Sequence, residues 1–449
     1  MAKKRFKSDS KKYLLLSLVC LIVAFAGLVT VFNSKAAITC DLNATTSNFA
    51  SQVSTATAGQ TICLATGNYG TWSGINKAIT IQAASGASPQ MNVSFGLGDS
   101  GFTLDGMTNM GGNIGSGASN ITIRNSTFTS PLDISGARGI LIDNNKFDWN
   151  SQGTCCKIPV GDITGTIDSP AVTISNNHIA NGESDGIQIQ GTTSGLLILN
   201  NTFDNLCDIG ANHTDNIQMY ATVTETKIAG NYIHASSSCP TQGITSFDSG
   251  TNGVIIENNV VDIHRPWAIE LYADKNSKVI HNTVVYHPDS DCDFTGQPCG
   301  QIDINRKTAD PAGSGTQVYD NIVTDVGFNS GSTGTAHHNV SGQTAIYVGG
   351  TTPTTHDGFL LASNSPVGRN AATDGTNAGI YSNGSNGGGT TTCSVKQGDA
   401  NNDNAVNILD ISVILSAYGQ TGTTSCTDVT KDGSVNIQDI SLVLSKYGS

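Results

Sequence analysis

Between residues 75 and 340 the chain repeats one short pattern of apolar and polar positions. Apolar residues alternate with polar ones in runs of three to five, and each run ends in one or two asparagines followed by an aliphatic or aromatic residue. Examples are ITIRNSTF from Ile121, ILIDNNKF from Ile140, VTISNNHI from Val172, LLILNNTF from Leu196 and VIIENNVV from Val254. Period-two alternation in short runs predicts β-strands, and self-similarity at spacings of 18 to 24 residues predicts a solenoid.

One polar position recurs in every repeat and is asparagine in most of them. It falls at Ser126, Asn145, Asn177, Asn201, Asn231, Asn259, Asn282, Asn321 and Asn339. We expect this residue at a corner of each coil, because asparagine tolerates left-handed backbone and its amide can hydrogen-bond the same residue of the neighbouring coils. The Leu-x-x-Leu-x-Leu pattern of leucine-rich repeats is missing, and no 3.6-residue period supports a helical solenoid.

These repeats resemble the right-handed parallel β-helix of the pectin-lyase-like superfamily over roughly residues 60–380. The predicted fold class is mainly β, a parallel β-helix solenoid, with a small all-α calcium-binding domain after it. We place the boundaries at 1–36 for an export segment, 37–382 for the β-helix, 383–395 for a flexible linker and 396–449 for the calcium-binding domain. A helix around Phe49 and Val53 is expected to cap the N-terminal end, because an open end would expose strand edges and core.

The first 36 residues differ in charge from the rest of the chain. They hold seven of the 22 basic residues and one acid, which leaves 15 basic and 34 acidic residues and a net charge of −19. That balance excludes electrostatic binding of nucleic acid and suits a secreted protein or one that binds divalent cations. The basic start, the apolar run from Tyr13 to Phe32 and Ser34-Lys35-Ala36 indicate a secretory signal cleaved after Ala36, or an uncleaved membrane anchor. Both alternatives predict an extracellular location, secreted or attached to the cell surface.

Ten cysteines follow the apolar run, and their even number predicts disulfides in an oxidising compartment. No Cys-x-x-Cys pair is present in the sequence, which argues against a zinc ribbon. Proximity along the chain suggests the pairs Cys40–Cys63, Cys207–Cys239, Cys292–Cys299 and Cys393–Cys426.

Residues 399–449 contain two copies of a loop that is rich in oxygen-bearing side chains. Positions 1, 3, 5, 7, 9 and 12 of such a loop supply calcium ligands, and position 7 does so through its backbone carbonyl. We therefore expect Ca²⁺ to bind Asp399, Asn401, Asp403, Ala405, Asn407 and Asp410 in the first copy, and Asp428, Thr430, Asp432, Ser434, Asn436 and Asp439 in the second. An amphipathic helix follows each loop and none precedes it, so these are loop–helix halves of an EF-hand.

Two such halves, 29 residues apart, resemble a type I dockerin. The resemblance implies calcium-dependent docking to a cohesin-bearing scaffold, usually by an enzyme that degrades carbohydrate. In dockerins, loop positions 10 and 11 help to choose the partner, and here they are Ile408-Leu409 and Ile437-Gln438. A calcium-stabilised domain without a partner is the alternative interpretation.

Five stretches, DGIQIQ, DNIQMY, GITSFD, AIELYA and QIDINR, align as strands of successive coils. Side chains alternate along a strand, so Ile187, Ile217, Ile244, Ile269 and Ile302 are predicted to point inward and their neighbours outward. The outward residues include Gln188, Gln218, Tyr220, Phe247 and Tyr272, with Arg265 at the border. Amides suit sugar hydroxyls and ring faces suit sugar rings, so we expect this surface to bind a polysaccharide.

Within this surface, Glu270 and Lys275 resemble the acid and the lysine of the chondroitinase-B and alginate-lyase β-helices. That resemblance implies that Glu270 is a calcium ligand and Lys275 the base of a β-elimination, with Arg306 one residue from the position of the family's arginine. Ala268 stands at the position of the family's second acid, which is therefore missing from this sequence. Such a reaction needs a cation on the uronate carboxylate and a base of lowered pKa.

Hydrolysis of O-glycosyl bonds would instead use paired carboxylates on adjacent coils, which strand spacing puts about 5 Å apart. The candidate pairs are Asp185 with Asp215 and Glu270 with Asp303, and His213 is a further candidate acid or base. The sequence thus predicts a polysaccharide-degrading lyase or hydrolase. A non-catalytic surface adhesin or glycan-binding solenoid is the alternative from another functional class.

Overall fold

The structure is a computed structural model of the 449-residue chain. It describes residues 39–150, 155–208, 213–220, 222–247, 250–287, 300–382, 396–400, 406, 410–411, 413–414, 426–432 and 434–447. The predicted export segment and the predicted linker 383–395 lie outside these residues. Within the described part of the chain, no helix is both long and apolar enough to cross a membrane.

Strands of successive coils stack in parallel on three faces and form the predicted β-helix. The first face contains 14 strands. They are β1 Leu42–Ala44, β2 Thr61–Leu64, β4 Thr80–Ala83, β6 Thr103–Asp105, β8 Ser119–Arg124, β10 Arg138–Asp143, β13 Val172–Ser175, β16 Thr192–Leu199, β19 Thr222–Ala229, β22 Thr251–Asn252, β23 Ile255–Glu257, β26 Lys278–Ile280, β29 Ser314–Tyr319 and β31 Thr333–His337.

The other two faces meet in β9, Thr127–Ser135, which pairs with strands of both. The second face continues with β11 Lys146–Asp148, β14 His178–Ala180, β17 Thr202–Asp204, β20 Tyr232–His234, β24 Val260–Asp262 and β27 Thr283–Val284. The third face, which carries the candidate site, comprises β3 Gly67–Trp72, β5 Pro89–Phe95, β7 Met110–Ile114, β12 Cys156–Gly161, β15 Asp185–Gln190, β18 Asp215–Met219, β21 Gln242–Thr245, β25 Trp267–Tyr272, β28 Gln301–Asn305 and β30 Asp325–Phe328.

The core runs along the axis of the coil and is filled by the inward residues of all three faces. The five isoleucines that alternation predicted to point inward are all 0% exposed. Like residues stack on like ones in successive coils; the rings of Phe128 and Phe147, for example, lie parallel with centroids 4.2 Å apart. Each such side chain contributes roughly 1.5–3 kcal/mol through burial, which makes this axial core the main source of stability.

Two residues always separate a first-face strand from the second-face strand that follows it, from Arg124–Thr127 through to Ile280–Thr283. The first of the two adopts left-handed backbone, with φ between 51° and 68° over these coils, and is Asn, Gly or His. The second is the recurring Asn of the sequence pattern. The predicted corner is confirmed, but two neighbouring residues share the roles that we assigned to one. The first adopts the left-handed backbone, and the second makes the hydrogen bonds to the neighbouring coils.

The recurring asparagines form a continuous hydrogen-bonded ladder inside this corner. The Oδ1 of each accepts from the backbone N–H of the equivalent residue one coil earlier at 2.8–3.1 Å, from Asn145 through to Asn339. The Nδ2 of Asn231 donates to the carbonyls of Ile198 and Ala229 and to Asn259 Oδ1. The ladder therefore satisfies backbone groups that the sharp turn would otherwise leave unpaired in the core.

Helix α1, Phe49–Thr55, lies at the N-terminal end of the coil, as predicted. Phe49 and Val53 are buried, and Phe49 makes edge contacts with the rings of Tyr69 and Trp72. The disulfide Cys40–Cys63 joins this end to the first coils.

Residues 341–382 pack on the flank of the coil and contain two 3₁₀ turns, Gly342–Thr344 and His356–Phe359. Phe359 and Ile380 cover Tyr232 and Val260 of the second face. The backbone of this segment hydrogen-bonds to the corners of the coil; the Gly379 N–H, for example, donates to the Asp320 carbonyl.

Three disulfides are described. Cys40–Cys63 and Cys207–Cys239 confirm the predicted pairs, while Cys155–Cys156 joins adjacent residues and was not predicted. Cys426 is also disulfide-bonded. Its predicted partner Cys393 and the predicted pair Cys292–Cys299 lie outside the described residues.

The C-terminal module contains helix α2, Ile437–Ser445, which directly follows the second loop. Asn436 caps this helix, and the side chain of Asp439 completes a capping box. Val406, Ile414, Val435 and Val443 form a small separate core.

Candidate active site and calcium loops

Parallel pairing on the third face brings the predicted outward residues into columns. The register places Gln188 beside Gln218, then Thr245, then Glu270 and then Asp303, one on each of β15, β18, β21, β25 and β28. Asp215 lies in a parallel column, beside Gln242 of the next coil. Four carboxyl groups thus share one surface, and we name Asp185, Asp215, Glu270 and Asp303 the carboxyl cluster.

The first half of the carboxyl cluster joins Asp185 and Asp215, which are 4% and 0% exposed. Asp185 accepts hydrogen bonds from the Asp215 backbone N–H at 2.9 Å and from Gln188 Nε2 at 3.0 Å. Burial, and then the neighbouring charge of Asp215, raise the pKa of Asp185 to about 7. Asp185 therefore keeps its proton to a higher pH than an ordinary aspartate does.

His213 lies at the edge of the same network. Its Nδ1 is 3.3 Å from Asp215 Oδ2, and this contact raises the pKa of His213. Asp215 Oδ1 accepts from the Thr245 hydroxyl at 2.8 Å. The chain thus brings together His213, Asp215 and Asp185, as the sequence suggested.

The second half of the cluster is Glu270 and Asp303, which face each other across the β25–β28 pair. Glu270 is 3% exposed; burial, and then the charge of Asp303, raise its pKa to about 7. Burial also raises the pKa of Asp303, but the amides of Asn329 and Asn305 donate to its carboxylate and oppose that rise. Burial and the charge of Asp303 therefore keep the proton on Glu270 to a higher pH than is usual for a glutamate.

Aromatic rings lie at the C-terminal ends of the same strands. Tyr220 and Phe247 are 55% and 39% exposed, while Tyr272 is buried and hydrogen-bonds Glu270. Phe247 and Tyr272 meet at 4.8 Å between ring centroids, and Lys307 Nζ lies 4.0 Å from the Phe247 ring centre. The exposed rings offer faces on which sugars can stack.

Two predicted cationic residues lie apart from the carboxyl cluster. The backbone of Lys275 bridges to Asn252 and Ser314 of the first face, so Lys275 is one corner beyond Glu270, and it is exposed. Arg306 donates to the carbonyls of Ser330 and Asp310.

A pocket of about 210 Å³ opens at the N-terminal ends of these strands. Its lining consists of Asp208, His213, Thr214, Thr241, Gln242, Arg265 and Trp267. Sequence analysis predicted Arg265 and His213 but not Thr241 or Gln242, because the wall is built by loops with no repeat pattern. The disulfide Cys155–Cys156 was also missed; it lies one coil from Asp185 and contacts Gln188 Oε1.

The second calcium loop is described except for Gly433. Thr430 Oγ1 lies 3.3 Å from Asp428 Oδ1 and 2.9 Å from Asp439 Oδ1, so the first, third and last loop positions converge on one point. Asp428 and Asp439 are 6% and 0% exposed. Buried carboxylates with only oxygen donors around them fit Ca²⁺ well, although the described residues contain no group of three acidic, His or Cys side chains in ligating geometry.

Of the first loop, Asp399 and Asp410 are described and buried, and Asp410 accepts from the Ala400 backbone N–H at 2.7 Å. The predicted ligands Asn401, Asp403, Ala405 and Asn407 lie outside the described residues.

Family models match two parts of the chain. Residues 114–284 match the right handed beta helix region, and residues 397–446 match the dockerin type I domain. The chain is a right-handed β-helix with a C-terminal type I dockerin. Type I dockerins bind calcium, which agrees with the donor set of the second loop.

Several solved structures resemble the β-helix. The Dettilon tailspike protein gp208 shares 17% identity at a TM-score of 0.45; the match covers 66% of this chain and 62% of the tailspike. Pectate lyase Pel9A shares 12% identity at a TM-score of 0.34; the match covers 77% of this chain and 97% of Pel9A. The surface adhesin PfbA of Streptococcus pneumoniae shares 11% identity at a TM-score of 0.37; the match covers 69% of this chain and 88% of PfbA. No curated protein sequence matches the chain.

Proposed function

We propose that this protein is an exported enzyme that hydrolyses a polysaccharide on the third face of its β-helix and attaches to a cohesin-bearing scaffold through its dockerin. The observation that carries the proposal is the Glu270–Asp303 pair. These two carboxyl groups are adjacent and buried, and the charge of Asp303 adds to burial in raising the pKa of Glu270.

Glycoside hydrolysis requires such a pair. Glu270 donates its proton to the glycosidic oxygen as the bond to the anomeric carbon breaks. Asp303 bonds to that carbon as the nucleophile. A water then gives a proton to Glu270 while its oxygen bonds to the same carbon, which breaks the bond to Asp303 and restores both carboxyl groups. The exposed rings of Tyr220 and Phe247 lie beside the pair, where they can stack on the sugars that flank the scissile bond.

The test is an assay of reducing ends against a panel that includes pectate, alginate, glycosaminoglycans, xylan and β-glucan. We expect new reducing ends without the ultraviolet absorbance of an unsaturated uronate. Glu270→Gln should lower kcat about 10²- to 10⁴-fold, because it removes the acid but keeps the shape. Asn92→Ala, an exposed change on β5, is the matched control and should leave kcat unchanged.

The pH profile provides a second readout of the same assignment. Glu270 must carry its proton to act as an acid, so activity should fall as pH rises through about 7, the raised pKa of Glu270. Rates measured from acid to alkaline pH would show this limb. A wild-type rate that does not fall at alkaline pH would contradict the role of Glu270 as the acid.

β-Elimination is the second candidate, and the spacing of Glu270 and Lys275 favours it. Lys275 would then be the base, and Lys275→Ala should abolish turnover while binding persists. The carboxyl cluster offers no described group of three calcium ligands, so we derive no step through a cation in the groove. Unsaturated products would establish elimination, and binding without any product would establish a glycan-binding protein.

Docking to a cohesin is proposed from the dockerin domain. The exposed side chains of Ile437, Leu444 and Tyr447 on and after α2 offer an apolar contact surface. Capture of the full chain by immobilised cohesins, in calcium and in chelator, tests the interaction. Capture in calcium alone is expected; equal capture in chelator would contradict it.

A further inference from the structure

The pocket lies next to the carboxyl cluster along the direction of the strands. Trp267 and Gln242 begin β25 and β21, and Glu270 and Thr245 follow three residues later on the same strands. The aromatic residues Phe247 and Tyr272 lie two residues further on. A glycan that runs along the strands would cross the aromatic rings, then the carboxyl cluster and then reach the pocket.

Two loops that are tied together form the outer wall of the pocket. They precede β18 and β21, and the disulfide Cys207–Cys239 joins them. The Asp208 backbone N–H also donates to the Pro240 carbonyl at 2.6 Å, beside the pocket residue Thr241. A covalent bond and a hydrogen bond thus join the two loops beside the pocket.

The lining has the chemistry of a sugar site. Trp267 supplies a ring, and His213, Gln242 and Arg265 supply polar groups. The hydroxyls of Thr214 and Thr241 donate to the backbone carbonyls of Glu183 and Thr214 and hold the lining in place. An aromatic face with a few converging polar groups in a small concave space is the usual form of a ligand pocket.

Gln242 supplies a second, independent sign of a ligand. It is 9% exposed, and its Oε1 has no hydrogen-bond partner within the described residues. Its Nε2 lies 2.5 Å from His213 Nε2. If the amide is turned so that His213 donates to Oε1, the amide N–H groups are left over instead. In both orientations the wall keeps one buried polar group that a ligand hydroxyl would satisfy.

We propose that this pocket is the subsite for the terminal sugar of the glycan, so that the enzyme releases short products from chain ends. The inference rests on the proposed function for its cleavage step, but not for its binding step. The volume of about 210 Å³ accommodates a single sugar unit. We infer that the tied loops close this end of the groove to a longer chain.

The binding step is tested without catalysis, by ligand-observed NMR with single sugars on the full chain. The probes are galacturonic acid, glucuronic acid, mannuronic acid, galactose and xylose. At least one should bind, and Trp267→Ala and Gln242→Ala should each weaken that binding about tenfold or more. Trp267→Phe keeps a ring and should restore much of it, while Asn92→Ala, an exposed change on β5, should leave it unchanged.

The cleavage step is tested by product size during hydrolysis of the active polymer. Short products from the earliest time points, with little loss of viscosity, are expected. Long internal fragments at early times would overturn the proposal and leave the proposed function standing. Single-sugar binding that depends on Trp267, in a protein that cleaves no polymer, would keep the pocket and refute the enzyme. Failure of every single sugar to bind would refute the pocket.

Discussion

Each asparagine of the ladder combines a hydrogen-bond acceptor and a hydrogen-bond donor in one short, neutral side chain. Its Oδ1 accepts from one coil, its Nδ2 donates to backbone carbonyls, and the side chain fits a corner that is closed to water. Aspartate would bring a buried charge, and alanine would leave buried donors and acceptors unpaired.

The first prediction concerns Asn231, which is 0% exposed. Asn231→Ala leaves the buried N–H of Asn201 without its acceptor and removes the side-chain donor to the Ile198 carbonyl. We expect the free energy of unfolding to fall by about 3 kcal/mol. Denaturant titration of the full chain measures the effect.

The exposed Asn92 on β5 provides the matched control, and Asn92→Ala should stay within about 0.5 kcal/mol of the wild type. A loss of similar size at Asn92 and Asn231 would show that the ladder is not the source of the effect.

At this scale the sequence predicted much of the fold, because alternation fixes which residues face inward. It could not separate the left-handed corner residue from the ladder residue, since both positions are often asparagine. His281 shows the difference, because it occupies the left-handed position at φ 53° while Asn282 carries the ladder.

Elements of the β-helix depend on their neighbours in unequal ways. A strand is fixed by pairing on both sides, whereas the loops before β18 and β21 hold each other through the disulfide Cys207–Cys239. Sequence periodicity therefore predicted the strands and their columns. It could not predict the pocket, because its wall depends on contacts between two loops that belong to different coils.

The second prediction is that this disulfide matters for the site more than for the fold. The double change Cys207→Ser with Cys239→Ser should raise KM severalfold and lengthen the early products, because the wall of the pocket is no longer fixed. Steady-state kinetics and product sizing measure both. The double change Cys40→Ser with Cys63→Ser is the matched control; it should cost about 2–4 kcal/mol of stability and leave KM unchanged. Equal KM for the two double variants would contradict this assignment.

The whole molecule combines two units that are stabilised by different means. The β-helix has a continuous apolar core, whereas the dockerin has a small core and buried acidic loop residues such as Asp399, Asp428 and Asp439. Type I dockerins bind calcium, so we expect the stability of this dockerin to depend on calcium and that of the β-helix not to do so.

The third prediction follows from that difference. A calcium chelator should unfold the dockerin at ordinary temperature and leave the thermal transition of the β-helix unchanged. Far-ultraviolet circular dichroism and calorimetry of the full chain measure the unfolding of the dockerin and the thermal transition of the β-helix. Asp439→Ala should reproduce the effect of the chelator in the presence of calcium. One cooperative transition that shifts as a whole on chelation would show that calcium also holds the β-helix.

The constant two-residue corner between the first and second faces has a consequence for where the fold tolerates insertions. From Arg124–Thr127 to Ile280–Thr283 each coil is registered by the same corner and its ladder. The corner between the second and third faces is free to differ in length; it has four residues between His178–Ala180 and Asp185–Gln190, for example, and ten between Thr202–Asp204 and Asp215–Met219. Insertions there change the rim of the pocket without disturbing the frame. Changes of length in the rim loops are therefore the changes that this frame tolerates best, while the asparagine corner must keep its two residues.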